Sequence, residues 1–325
     1  MKTLVLTRSD VERIATMELA VSAVELAFAA FGRGEATMPP KVYLQIADHE
    51  GDFRAMPSRL GDSAGIKWVN VHPQNRKRFG LPTVMAVYIL NDPANAFPLA
   101  VMDGTLLTSL RTGAAGAVAS KHLAQRNPKT IAFIGCGAQA YTLHGTHRVV
   151  FENFESLAYD RNEATAASFA DQVGARQVPL EEAARADIVC TATPSRIPFV
   201  RAEWIQSGAH INAMGADAPG KQELATEVLK SAAVYIDDIH QATGSGEINV
   251  PLAAGDFGVD ELAGTLGELV AGLLPRPDPS TTTVFDSTGL AIQDVSLARA
   301  IYDRAVMQSI GQEVDLIGIG EQAGD

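Results

Sequence analysis

Cysteine is scarce in this chain: Cys136 and Cys190 are the two examples in 325 residues, each in an apolar strand-like or glycine-loop context. That suits reduced thiols and argues against a disulfide framework, and no Cys-x-x-Cys pair points to zinc or thiol redox chemistry. No apolar run reaches the roughly 18–20 residues that span a bilayer. The short apolar start gives way at once to Arg8, Asp10, Glu12 and Arg13, so no signal-peptide core forms. A soluble, cytoplasmic protein with no membrane role is expected. Positive charge is in deficit, with 26 Lys and Arg against 38 Asp and Glu and a net charge of -12. Nucleic acid binding needs clustered cations, and Arg76-Lys77-Arg78 reads as a solvated loop face, so no nucleic acid partner is expected. No Gly-x-Ser-x-Gly elbow suggests a hydrolase. His144 and His147 lie on one helix face without a carboxylate or thiol near in sequence, and no metal site is expected.

What is present is enough for two cores: 46% hydrophobic and 20% charged residues in a chain of this length. Thr7-Arg8-Ser9-Asp10 fits a capping box opening a helix, and Met17, Ala20, Val21, Val24, Ala27, Phe28 and Phe31 mark its buried face until Gly32 and Gly34 end it. Strand-like runs follow at 42–46, 53–56, 66–71, 83–90 and 98–102, separated by Pro, Gly and Asn, which predicts a meandering, mainly antiparallel sheet. From about Thr112 the pattern changes to a small-residue helix over 114–123. Strands then alternate with helices at 130–134, 156–160, 187–191, 210–214 and 234–238, the signature of a doubly wound parallel sheet. A last strand at 282–286 leads into a helix over about 290–307 whose apolar face is expected to return to the first domain. The expected division is 1–112, 113–287 and 288–325.

The strand over 130–134 runs directly into Gly135-Cys136-Gly137-Ala138-Gln139-Ala140 and a helix over 138–150. Glycines let a backbone turn tightly and approach a pyrophosphate, while a helix N-terminus offers it free N–H groups. The flanking strand, the helix and the acidic Asp160 ending the next strand together predict a bound dinucleotide. Asp160 is placed to accept from the adenosine ribose, which favours NAD, whereas Arg161 could receive a 2′-phosphate and keeps NADP open; as a bare pattern Arg161 is also a solvated loop charge. Lys67 interrupts the apolar run Gly65-Ile66-Lys67-Trp68-Val69, where a desolvated amine would have a lowered pKa useful for proton transfer; the plainer alternative is a strand-edge lysine reaching solvent. Arg54 and Arg111 could fork onto a carboxylate or serve as surface ion-pair residues. After the strand over 210–214, Gly215-Ala216-Asp217-Ala218-Pro219-Gly220-Lys221 falls where ligands gather at strand C-termini, although Asp217 could be a turn residue.

Taken together, Met38-Pro39-Pro40-Lys41, Arg54-Ala55-Met56-Pro57, Lys67-Trp68-Val69-Asn70-Val71-His72-Pro73, Leu81-Pro82-Thr83-Val84-Met85, Thr108-Ser109-Leu110-Arg111-Thr112-Gly113 and the Gly215 to Leu224 segment resemble the ornithine cyclodeaminase/mu-crystallin family, from near Leu4 to about Val306. The resemblance implies an α/β homodimer: a Rossmann-type doubly wound domain beside an α+β substrate and dimerisation domain built from both chain ends. By motif, Lys67 and Asp217 would be the acid–base residues, and Lys41 with Arg54 would hold a substrate carboxylate. Arg111, Thr112, Gly135, Gly137, Ala138, Gln139, Asp160, Arg161, Thr193, Met214, Gly215, Ala216, Lys221 and Ser287 would line the cofactor. Ser287 also reads as opening the last helix, which suits an anion-facing position. Where ornithine cyclodeaminases carry a glutamate two residues before Met-Pro, this chain has Arg54, which would repel a distal amine. The resemblance therefore implies NAD-linked oxidative deamination of L-alanine to pyruvate and ammonium, reversible, acting on small amino and keto acids. The family also implies two alternatives, ornithine cyclodeamination or cyclic-imine reduction, and a non-catalytic protein binding a dinucleotide and a small ligand.

Overall fold

The computed structural model describes residues 1–318, so the end of the expected segment 288–325 lies outside the described residues. The chain forms two compact units: one from Met1–Ala27, Gly34–Arg111 and the residues from Ala291 onward, the other from Phe28–Arg33 and Thr112–Leu290.

The first unit holds β1 (Thr3–Leu6), β2 (Ala36–Thr37), β3 (Val42–Ile46), β4 (Gly51–Leu60), β5 (Ser63–Val71), β6 (Val84–Asn91) and β7 (Pro98–Asp103). The second supplies β8 (Thr130–Ile134), β9 (Glu155–Tyr159), β10 (Arg176–Gln177), β11 (Ile188–Thr191), β12 (His210–Ala213), β13 (Ala233–Ile236), β14 (Leu262–Thr265) and β15 (Thr283–Asp286), before the chain regains the first unit with β16 (Gln312–Val314).

The first sheet runs β16-β1-β7-β6-β5-β4-β2, with β3 also on β4. It is antiparallel except where β1 lies parallel to β7. β4 and β5 extend beyond the expected runs because their alternation continues into a tight hairpin that pairs Leu60 with Ser63 around Gly61, whose φ of 53° suits a residue without Cβ. The helix Ala291–Gln308 covers one sheet face, and Met56, Val69, Ala86 and Ala291 form the core between them. Lys67 falls on that face, in register with Met56 on β4 and Tyr88 on β6. On the opposite face one transverse row joins Val42, Ala55, Trp68 and Val87 across four strands. Val42, Trp68 and Val87 are exposed there by 63%, 43% and 46%.

The second sheet has eight parallel strands in the order β10-β9-β8-β11-β12-β15-β13-β14. From β8 the chain steps outward through β9 and β10, then returns to build β11 and β12 on the other side. This is the doubly wound arrangement expected, with its switch point between β8 and β11, where such sheets open a ligand crevice. β11, β12 and β15 are buried along their whole length, as strands covered on both faces are.

Some local expectations need correction. The single N-terminal helix is two, Arg8–Ile14 and Met17–Gly32, bent by 87°. Thr7 and Asp10 make the capping box, but Thr16 caps a second start by accepting the Leu19 N–H at 3.2 Å. The helix expected from 114 begins at Gly104, because the Asp103 carboxylate caps it through the Thr105 and Leu106 N–H groups at 3.2 and 2.8 Å. No single helix among the described residues is long and apolar enough to cross a membrane.

Candidate functional site

In the second unit the glycine loop follows β8. Gly135 has φ 91°, and a Cβ there would stand 2.7 Å from Thr193 Cγ2 and 2.8 Å from the Ala192 carbonyl, so the turn admits no side chain. Gly137 is the N-cap of the helix Ala138–Val150, with no side chain capping it. Nothing lies within 4 Å of where its Cβ would be. The start of the helix therefore leaves room beside a bare backbone, and the buried Gln139 Nε2 has no hydrogen-bond partner. Asp160 closes β9 and accepts the Cys136 N–H at 2.9 Å, pinning the loop, while its other oxygen accepts from Asn162 N at 2.8 Å. A carboxylate offers about four acceptor sites, so Asp160, half-buried, retains capacity for hydroxyl donors. Arg161 is exposed. These features fit a dinucleotide.

The loops after β11 and β12 are knitted by Glu223, which is fully buried. Its carboxylate accepts from Thr191 Oγ1, Thr193 N and Thr193 Oγ1 at 2.7 Å each, and from Gly215 N at 2.9 Å. Burial pushes the Glu223 carboxyl above its usual range, while these donors oppose the shift. Met214 and Ala216 are buried in the same segment. Asp217 accepts from Lys221 Nζ at 2.5 Å, and its N–H donates to the Gly215 carbonyl at 3.0 Å, so it does sit in a tight turn and still presents a partly exposed carboxylate. Ser287 does not open a helix: it lies in the extended link after β15, its N–H donating to the Ala213 carbonyl at 3.1 Å, and the helix begins at Ala291. Thr112 lies inside the helix Gly104–Leu123.

The two histidines serve the core. His147 is buried, its Nδ1 donating to the Leu143 carbonyl at 2.7 Å, which leaves Nε2 to accept from Ser120 at 2.9 Å. Among the described residues no group of three or more His, Cys, Asp or Glu is arranged to hold a metal ion. Cys136 and Cys190 are buried free thiols, each pushed up to about 12 by burial.

In the first unit Lys67 does not reach solvent from an edge. It stands in a central strand with no exposed surface, its Nζ 2.9 and 2.8 Å from the two oxygens of Asp294, also fully buried. Burial, then the neighbouring Arg111, lower the Lys67 amine to about 7, with Asp294 opposing both. Arg111 lies in the same cluster, Nε 3.2 Å from Asp294 Oδ1 and an NH1 donating to Gln293 at 3.2 Å. Tyr88, opposite Lys67 on β6, is fully buried, and burial and the Asp294 charge hold its phenol well above its ordinary pKa. Arg54 is buried too, forked onto Asp52 at 2.7 and 3.1 Å with its guanidinium 5.3 Å from the Tyr43 ring centre. Neither arginine is a surface ion-pair residue, and Lys41 is half-buried. Asp294 and Glu223 escaped the sequence reading. Asp294 had a visible signal: a carboxylate inside the apolar stripe of Ala291, Val295 and Ala298, where an unpaired charge would be costly.

Known proteins resemble this chain along nearly its whole length. The description "Ornithine cyclodeaminase/mu-crystallin family" matches residues 1–309. An alanine dehydrogenase of Archaeoglobus fulgidus is 50% identical over 325 residues, covering 98% of this chain and 100% of that protein. A solved archaeal alanine dehydrogenase dimer with bound NAD superposes with a TM-score of 0.93 at 50% identity, covering 97% of this chain and 100% of that one. The Thermococcus litoralis Delta(1)-pyrroline-2-carboxylate reductase in complex with NADH and L-proline follows at 0.91 and 35% identity, covering 96% of this chain and 100% of the other. A match that runs through both units and nearly the full length of each relative leaves one assignment: the chain belongs to the ornithine cyclodeaminase/mu-crystallin family.

Proposed function

We propose that this protein is an NAD-dependent amino-acid dehydrogenase that oxidises L-alanine, with water, to pyruvate and ammonium, and runs the reverse reductive amination. The observation that carries the reading is Lys67, a fully buried amine brought to about 7 in a cluster of charged groups. A proton carrier works best with a pKa near the operating pH, and a protein that merely binds a small ligand has no use for so costly an arrangement. The likeness to proteins named alanine dehydrogenase supports the choice of reaction.

Bound NAD supplies the two-electron acceptor. Gly135, Gly137, Ala138 and Gln139 would receive its pyrophosphate, and Asp160 its ribose hydroxyls, with Arg161 the residue through which NADP could be accepted. Thr193, Met214, Gly215, Ala216, Lys221 and Ser287 in the second unit, with Arg111 and Thr112, would line the rest. Lys67 takes and returns a proton at Nζ, and Asp217 does so at its carboxylate. Arg54 and Lys41 hold the substrate carboxylate, and the Asp52 partner fixes the Arg54 fork. A cation at position 54 suits a substrate with one carboxylate and no second amine, which favours alanine over ornithine. The exposed row of Val42, Trp68 and Val87 supports a homodimer in which a second copy covers that sheet face.

The test is NADH formation by the pure protein over a panel of amino acids, with proline and ammonia measured separately when ornithine is offered. L-alanine should be the best substrate, with no proline from ornithine. Proline formation outpacing alanine oxidation would move the chain to cyclodeamination.

A further inference from the structure

We infer that Asp294 is the positioning residue for Lys67, holding its amine in place and setting the strength with which it keeps its proton, with Arg111 as the competitor for the same carboxylate. The inference rests on the reading that Lys67 moves a proton during amino-acid oxidation.

The argument is one of charge count and geometry. Two cations meet one anion: Lys67 Nζ lies 2.9 and 2.8 Å from the Asp294 oxygens, and Arg111 Nε lies 3.2 Å from Oδ1. All three side chains are nine-tenths or more buried. A guanidinium does not give up its proton in a protein, so Arg111 already balances Asp294. With Lys67 neutral the trio carries no net charge, and with Lys67 protonated it carries one positive charge that burial makes unfavourable. The remaining groups acting on Lys67 supply no second anion. Tyr88, on the neighbouring strand, is held as a neutral phenol, and Lys41 adds further positive charge. Asp294 thus opposes proton loss while Arg111 and burial promote it, and the amine is left poised. Were Asp294 absent, the same burial with Arg111 and Lys41 would drive Lys67 neutral, and the amine would lose the contact that aims it. Asp294 itself stands on the helix Ala291–Gln308, which covers β4 and β5, so its carboxylate is delivered by the element that seals Lys67 from solvent.

The experiment is the pH profile of kcat and of kcat/KM for L-alanine oxidation in the unmutated protein, Asp294→Asn and Asp294→Glu. Asp294→Asn should lower kcat by about tenfold or more and move the Lys67 limb toward acid by about one pH unit or more, whichever form of the amine is active. Asp294→Glu, which keeps the charge, should return the limb most of the way. A lowered kcat with an unmoved limb in Asp294→Asn would mean a structural role only and overturn the inference. Unfolding of Lys67→Met, Asp294→Asn and the double variant provides a measure independent of turnover. Coupling of about tenfold or more in the unfolding constant supports the pairing, and additive effects overturn it. If the unmutated protein oxidises no amino acid, the proposed function falls, while the coupling still decides whether Asp294 holds Lys67.

Discussion

Replacing Lys67 with methionine, similar in length and uncharged, should change how the stability of the protein depends on pH. In the folded chain the amine lies at about 7, against 10.5 unperturbed. At about 1.4 kcal/mol per unit that displacement is worth about 5 kcal/mol in all. The pKa is depressed, so the unfolded chain binds the proton more readily than the folded one between those values. The stability this group contributes is fully present above 10.5 and is lost as pH falls through about 7. Between pH 7 and 9 the unmutated protein should gain about 2 kcal/mol relative to Lys67→Met. Asp294 retains Arg111 in the variant, so its carboxylate stays paired. Urea unfolding of both proteins across that range measures the difference directly, with all other titrations common to the pair. Parallel curves, with a gap constant to within about 0.5 kcal/mol, would refute the claim that Lys67 is held near neutrality by its surroundings.

Three further outcomes follow from the structure. Asp160→Ala should narrow the preference for NAD over NADP, measured as the ratio of kcat/KM, because a carboxylate that repels a 2′-phosphate is gone; a ratio already at or below one in the unmutated protein would contradict this reading. Arg54→Ala should lower kcat/KM for alanine by about ten- to a hundredfold while NAD affinity in a direct titration stays unchanged, since a charge-assisted hydrogen bond is worth roughly 1.5–3 kcal/mol. Gly113→Ala should destabilise the protein by about 1–3 kcal/mol in thermal unfolding, because its Cβ would stand 2.6 Å from the Thr142 carbonyl oxygen where two helices cross.

The parallel sheet was legible because period and punctuation agreed at every step. Each buried strand is a short apolar run, most crossovers carry a helical pattern, and the glycine loop declares itself by occupying one such junction. The short strands β1, β10, β14 and β16 were not, since two to four residues carry no period. The candidate site was half legible. Lys67 stood out as a charge in an apolar run, but its partner lies 227 residues away, and no local pattern links a strand lysine to a helix aspartate. Arg54 and Arg111 stayed open between a carboxylate clamp and a surface ion pair because spacing says nothing about which face a covering helix will bury. Thr16 and Asp103 show the opposite failure. Both are caps visible in sequence, and both were overlooked because a continuous apolar stripe and a small-residue run drew the boundaries elsewhere.

The pairing of β1 with β16, Thr3 beside Val314, has a consequence for synthesis. Chains emerge N-terminus first, and the second unit is nearly contiguous, so it can complete its parallel sheet while the C-terminal residues are still unmade. The first unit cannot close. Through the synthesis of all the intervening chain, β5 carries Lys67 with neither the covering helix nor the carboxylate that balances it. The amine stays hydrated and charged until the helix Ala291–Gln308 arrives. Sealing that sheet face is then the same event as desolvating the Lys67 amine, so a chain truncated before Asp294 would lose the buried Lys67 pair and its first core together.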